Sequence, residues 1–301
     1  MPPDFDGLLV IDKPLGMTSR EVVNRAQRWF PLGTRIGHSG TLDPLATGVL
    51  VLCVGMGTRL TEYVQRMTKV YRAGVTVGAV SDTDDADGQI TPSPAAKVPT
   101  TDNVLQALAG FVGTVGQVPP AYSAVKVMGR RAYDLARQGK KVSLAERPVT
   151  IYAIDVVTYA YPHLDIVVRC GKGTYIRSLA HALGERLGCG GYLSSLRRLQ
   201  VGCFQETDAL RVDVEPLQAR ASLLNVATAV TDLPKITLEG AAATRLLHGQ
   251  RIQAPKFVSP TECGIDTEAA VYDGTGRLLA IAQVGAGWLH AKKVLAATDA
   301  K

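Results

Sequence analysis

The chain has 301 residues, 46% hydrophobic and 20% charged, a globular composition with room for one large domain and a small one. Thirty-three Lys and Arg against 27 Asp and Glu give a formal charge of +6 and favour a polyanionic partner. Five cysteines, at 53, 170, 189, 203 and 263, form an odd set with no CxxC pair, which argues against a disulfide framework or a zinc cluster.

The first stretch, MPPDFDGLLVIDKP, carries acids where a signal peptide needs basic residues, and no apolar run approaches membrane-spanning length. A soluble cytoplasmic protein, a monomer without membrane attachment, is expected. LLVIDKP reads as a short strand ended by Pro14, and GMTSREVVNRAQRWF as a helix with Thr18 and Glu21 at capping-box spacing. HSGTLDPLATG follows, then the apolar run GVLVLCVG, a buried strand. Pro44 disfavours helical backbone at Asp43, so that carboxylate belongs on extended chain between Gly40 and Gly48. On its own this stretch fits either a structural aspartate in a turn or a reactive site.

Further along, TRLTEYVQRM is predicted helical and KVYRAGVTVGAV a strand that ends in the acidic loop SDTDDADGQI. TDNVLQALAGF is predicted helical, and VTIYAIDVVTYAY and HLDIVVRC are strands. The second strand leads through GKG into the helix TYIRSLAHALGERLG. Beyond residue 231 the pattern turns to short strands and turns, suggesting a small β domain.

Between Lys126 and Arg147 seven basic residues stand against two acidic ones, nearly the excess of the whole chain. Lys126, Arg130, Arg131, Arg137, Lys140 and Lys141 are candidate nucleic-acid contacts, with Tyr122 and Tyr133 available to stack on bases; a solvated basic helix fits the same residues. Arg177 stands in the first turn of a helix, where the dipole disfavours a cation, and either a nearby anion or open solvent would relieve it. Several familiar constellations fail. His38 and Ser39 lack the GxSxG elbow, DTDDADG lacks the calcium-loop ligands at Ala86 and Ser93, and GKGT has Ile166 where a phosphate loop needs glycine. The five histidines show no metal-ligand spacing.

Taken in order, GHSGTLDPLATGVL, KVYR, SDTDDADG, PPAYSAVKVMGRRAY and KGTYIRSLAHALGERLGCGGYLSSLRR resemble the bacterial TruB family of tRNA pseudouridine synthases over about residues 7 to 210. The tail, with LHGQRI and DGTGRLLAIA, is similar to the small PUA domain that family members carry. The resemblance implies an α+β fold: a mixed β-sheet flanked by helices over 1–230, a thumb insertion at about 120–148, and a barrel-like PUA domain over 231–301. It implies isomerisation of uridine-55 in the T arm of tRNA, without cofactor or metal. Asp43 then matches the nucleophile that acts on a flipped-out uridine, Arg177 its ion-pair partner, and Tyr71 a ring stacked on the uracil. Tyr175 and Leu196 match pocket walls, His38 a residue beside the flipped base, Asp85 an RNA contact, and Lys13 a lysine of the pocket region. Attack at ribose C1′ and attack at uracil C6 both remain open. So do two rivals, a non-catalytic RNA-binding protein on the same fold and a small-molecule hydrolase using Asp43. The hydrolase leaves the concentrated positive charge unexplained.

Overall fold

The computed structural model describes residues 5–93, 97–123, 126–127, 130–131, 138, 144–254 and 267–295. In chain order the first strands are Gly7–Lys13 (β1), Ile36–His38 (β2), Ala46–Val54 (β3), Lys69–Val77 (β4), Ala79–Ser81 (β5), Ile90–Pro92 (β6) and Gly113–Gln117 (β7). Lys126–Val127 (β8), Arg130–Arg131 (β9), Arg147–Ala160 (β10), His163–Cys170 (β11), Gly191–Val201 (β12), Phe204–Gln205 (β13) and Leu210–Arg211 (β14) follow. Helices are Ser19–Ala26 (α1), Thr61–Arg66 (α2), Thr101–Ala109 (α3), Ile176–Arg186 (α4), Pro216–Ala221 (α5) and Gly240–Leu247 (α6).

One ten-stranded sheet dominates, ordered β14-β1-β3-β12-β4-β11-β10-β7, with β13 on β12 and β2 on β3. It is mixed: β1 with β14 and β3 with β12 run parallel, and the other pairs are antiparallel. The α+β architecture expected from the sequence is present. Strands β1 and β3 carry the unbroken apolar runs Leu8–Ile11 and Val49–Val54 because both faces of the sheet are covered there. Leu9, Ile11, Leu50, Leu52 and Val54 pack with α1 and α4, whereas Leu8, Val10, Val49, Val51 and Cys53 point the other way, toward α2 and the tail. Helix α1 begins as its sequence requires. The Thr18 hydroxyl accepts the Glu21 amide at 3.2 Å and the Glu21 carboxylate accepts the Thr18 amide at 2.7 Å.

The tail forms a second, curled sheet ordered β15-β17-β18-β19-β16, from Lys235–Thr237 (β15), Ile252–Gln253 (β16), Glu268–Tyr272 (β17), Leu278–Gly285 (β18) and Trp288–Val294 (β19). Helix α6 in this region went unpredicted. Two other predicted elements divide. TRLTEYVQRM is a 3₁₀ turn running into α2, and the KVYR strand breaks at Gly78, whose φ of +89° separates β4 from β5. Residues 132–137 and 139–143, the heart of the basic stretch, lie outside the described residues, and with them Arg137, Lys140 and Lys141. Lys126, Arg130 and Arg131 sit on the two-stranded β8–β9 ribbon. No described helix is long and apolar enough to cross a membrane.

Candidate active site

Asp43 lies on the loop between β2 and β3, which is held from several sides. The Ser19 hydroxyl of α1 donates to Leu42 O at 3.0 Å and accepts the Leu42 amide at 2.8 Å. The Ser39 amide donates to Val51 O at 3.0 Å and the Gly16 amide to Pro44 O at 2.8 Å. Arg198, a buried residue of β12, donates from Nε to Val49 O at 2.6 Å and from Nη2 to Gly40 O at 3.1 Å. Gly48 can be nothing larger: its φ is +95°, and a Cβ there would stand 2.2 Å from the Arg198 carbonyl oxygen.

Arg177 enters from the first turn of α4. Gln117, at the end of β7, fixes that turn by donating to Tyr175 O at 2.9 Å and accepting the Tyr175 amide at 2.7 Å. Ser178 adds a bond to Val118 O at 2.8 Å. Arg177 Nη2 meets Asp43 Oδ2 at 2.9 Å and Nη1 meets Asp85 Oδ2 at 3.4 Å, while the same nitrogens donate to Tyr122 O and Thr83 O. Two carboxylates and two carbonyls thus surround a guanidinium whose side chain is 5% exposed. They overcome the unfavourable helix dipole that the sequence alone made visible.

A cavity of about 460 Å³ opens in front of this pair, lined by Asp43, Tyr71, Tyr175, Leu196, Lys69 and Arg198 among others. Asp43 keeps 38% of its side chain open. The apolar surroundings nonetheless push its carboxyl above the ordinary carboxylate range, with Arg177 pulling it down and Asp85 adding to the rise. Burial also raises the Tyr71 phenol, against the pull of Arg198, so the ring faces the cavity neutral. Lys69 donates to the Gln65 and Met67 carbonyls, and burial lowers its ammonium to about 8.

Of the residues singled out from sequence, Asp43, Arg177, Tyr71, Tyr175 and Leu196 share the cavity wall. His38, Lys13 and Asp85 do not line it. Lys13, expected in the pocket region, is fully buried behind the loop, where its Nζ donates to Pro14 O at 2.9 Å, Met17 O at 2.5 Å and Pro44 O at 3.4 Å. Asp85, expected to contact RNA, is buried against Arg177 and accepts from Thr83 Oγ1 at 2.6 Å. His38 ends β2, paired with Leu52 of β3. Neither Lys69 nor Arg198 received a role from the sequence. The pair Arg197 and Arg198 directly after the apolar Leu196 was the available sign. Among the described residues no group of three or more His, Cys, Asp or Glu side chains is placed to hold a metal.

The fold and the cleft define a class first: an α+β protein on a mixed sheet, with an ion-paired carboxylate facing an aromatic cavity. Comparison with known proteins then gives the family. The TruB family pseudouridylate synthase N-terminal domain matches residues 28–176, and the tRNA pseudouridylate synthase B C-terminal domain matches 177–232. A tRNA pseudouridine synthase B of Chromohalobacter salexigens is 41% identical over 91% of this chain and 87% of the relative. Its counterpart in Gluconacetobacter diazotrophicus is 40% identical over 97% of each chain. The solved Cbf5-Nop10-Gar1 complex contains a chain that superposes with a TM-score of 0.75 at 25% identity, covering 98% of this chain and 86% of that one. The chain belongs to the TruB family of pseudouridylate synthases.

Proposed function

We propose that the protein isomerises uridine-55 in the T arm of tRNA to pseudouridine, with Asp43 as the nucleophile on a uridine flipped out of its stack. The observation that carries this reading is the 2.9 Å pair between Asp43 and Arg177 at the wall of a cavity that also presents Tyr71, Tyr175 and Leu196. The volume is in the range of small-molecule sites, and rings with an apolar wall suit a planar base. tRNA is the substrate class in the names of the curated relatives.

In the reaction Asp43 attacks ribose C1′, expelling uracil with the electron pair of the C1′–N1 bond, or adds to uracil C6, after which the same C1′–N1 bond breaks with its electron pair going to N1. The uracil turns, C5 bonds to C1′, and the carboxylate is released. The proton lost from C5 is balanced by one gained at N1. Arg177 aims the carboxylate and stabilises its charge, and neutral Tyr71 stacks on the base. The basic stretch 120–148 serves as the thumb that grips the RNA. Residues 1–230 form the catalytic domain and 231–301 a PUA-like RNA-binding domain.

Tritium release from uridine C5 of an unmodified tRNA transcript tests the assignment. Asp43→Asn should abolish release while leaving tRNA affinity nearly unchanged, since phosphate contacts supply most of the binding. Substantial turnover by that variant would refute the nucleophile, and tight binding without release by the natural protein would make it an RNA-binding protein only.

A further inference from the structure

The acidic loop after β5 rests on α4 through two neighbouring acids. Asp85 meets Arg177, and Asp84 Oδ1 meets His181 Nδ1 at 2.9 Å. Positions 177 and 181 are one helical turn apart and lie on the same face. Successive residues of an extended chain point to opposite sides, yet both carboxylates reach this one face. Asp84 makes that possible by adopting φ of 61°, the left-handed region that a side chain rarely enters without something to hold it there. Backbone bonds to β12 complete the seat: the Leu193 amide donates to Asp84 O at 3.0 Å and the Ala86 amide to Leu193 O at 2.9 Å.

His181 is 41% exposed. Among the described residues its ion-pair partners are Asp84 from the loop and Glu185 from its own helix, whose Oε1 lies 3.4 Å from Nε2. Arg177, the cation one turn earlier, is already matched by Asp43 and Asp85.

We propose that His181 is a positioning residue for the catalytic pair: protonated, it clasps Asp84 and keeps Asp85 seated on Arg177; neutral, it loosens that hold and with it the aim of Arg177 at Asp43. The inference rests on Asp43 and Arg177 acting as proposed above. Asp84, and to a smaller extent Glu185, raise the imidazole above its usual 6.5 against partial burial. A raised histidine holds its clasp fully below the ordinary value and loses it as pH climbs through the raised one. The consequence is a fall of turnover on the alkaline side, opposite to the acid fall that protonation of Asp43 produces.

The test compares the natural protein with His181→Ala and with Asp84→Asn, which tolerates the left-handed backbone. The imidazole titration is followed by NMR, amide exchange of residues 82–88 is measured without RNA, and single-turnover tritium release is measured from about pH 5 to about pH 9. His181→Ala should speed exchange in the loop, lower the plateau rate about tenfold and remove the alkaline fall, with tRNA affinity unchanged. Asp84→Asn should lower the imidazole midpoint and move the alkaline fall down with it. Unchanged loop exchange in His181→Ala, an alkaline fall that persists there, or one that stays put in Asp84→Asn would each overturn the proposal. A natural protein that binds tRNA and never releases tritium would refute the reaction itself, and loop exchange would then decide the clasp alone.

Discussion

Asp43 is pulled in two directions. Its cleft penalises the charged form while Arg177 favours it, and the balance lies on the raised side of the ordinary carboxylate value. Attack requires the ionised form, so the acid limb of a profile of kcat/KM against pH should fall above about 4, the unperturbed aspartate value. A limb at or below that value would contradict the balance. Arg177→Lys should lower kcat by roughly two orders of magnitude with a small change in KM, because one ammonium cannot reproduce a fork shared among two carboxylates and two carbonyls. Equal losses in kcat and tRNA affinity would speak against it. Asp43 and Arg177 were each visible in the sequence as an oddity, one an acid before proline, the other a cation at a helix start. Their pairing was not, since it joins residues distant in the chain; only the resemblance suggested it. Lys13 was expected in the pocket region and Asp85 as an RNA contact; both are buried, and burial behind the wall is a property of the folded loop that no single position displays.

The two elements that carry the site differ in how well they could be read. Helix α4 announced itself through the spacing of Ile176, Leu179, Ala180, Leu183 and Leu187, all buried except the half-buried Leu187 at its end. Strand β12, central in the sheet, did not. GYLSSLRRLQV has serines and arginines in place of a continuous apolar run, and register shifts at Leu193/Ser195 and Arg198/Gln200 interrupt the two-residue period. Those irregularities flank the segment holding Leu196 and Arg198, both of which line the cavity. Helix α6 was missed because it is only eight residues long and opens on Gly240, inside a stretch read as short strands and turns. The position of α4 depends on Gln117, whose amide satisfies both backbone groups of Tyr175. Gln117→Leu leaves the Tyr175 amide unpaired, at about 1–3 kcal/mol if it stays buried, while Tyr175 O keeps the Leu179 amide at 3.2 Å, and it releases the turn bearing Arg177. A lower Tm together with reduced kcat is expected; an unchanged Tm would show that water or another group replaces the glutamine.

Across the whole molecule the tail sheet and the large sheet share a core. Ala270, Leu278, Ile281 and Leu295 pack with Leu8, Val10, Val49, Val51 and Tyr63, so the rear face of β1 and β3 depends on β17 and β18 for its burial. Ion pairs ring the junction: Arg66 bridges Glu62 and Glu268, Lys292 joins Glu268, and Lys293 joins Glu62. Arg66, Glu62 and Lys292 are exposed, whereas Glu268 is mostly covered, so the apolar contact carries most of the attachment and the ion pairs rather less. Two sheets that share a core in this way should not unfold independently. Ile281→Ala deletes a fully buried side chain at the junction and should cost about 2–5 kcal/mol. Calorimetry should show a single transition moved to lower temperature for the entire chain. A first transition carrying only the enthalpy of residues 235–294, with the rest melting as before, would mean that the tail is an independent appendage and that its grip on β1 and β3 contributes nothing to the catalytic sheet.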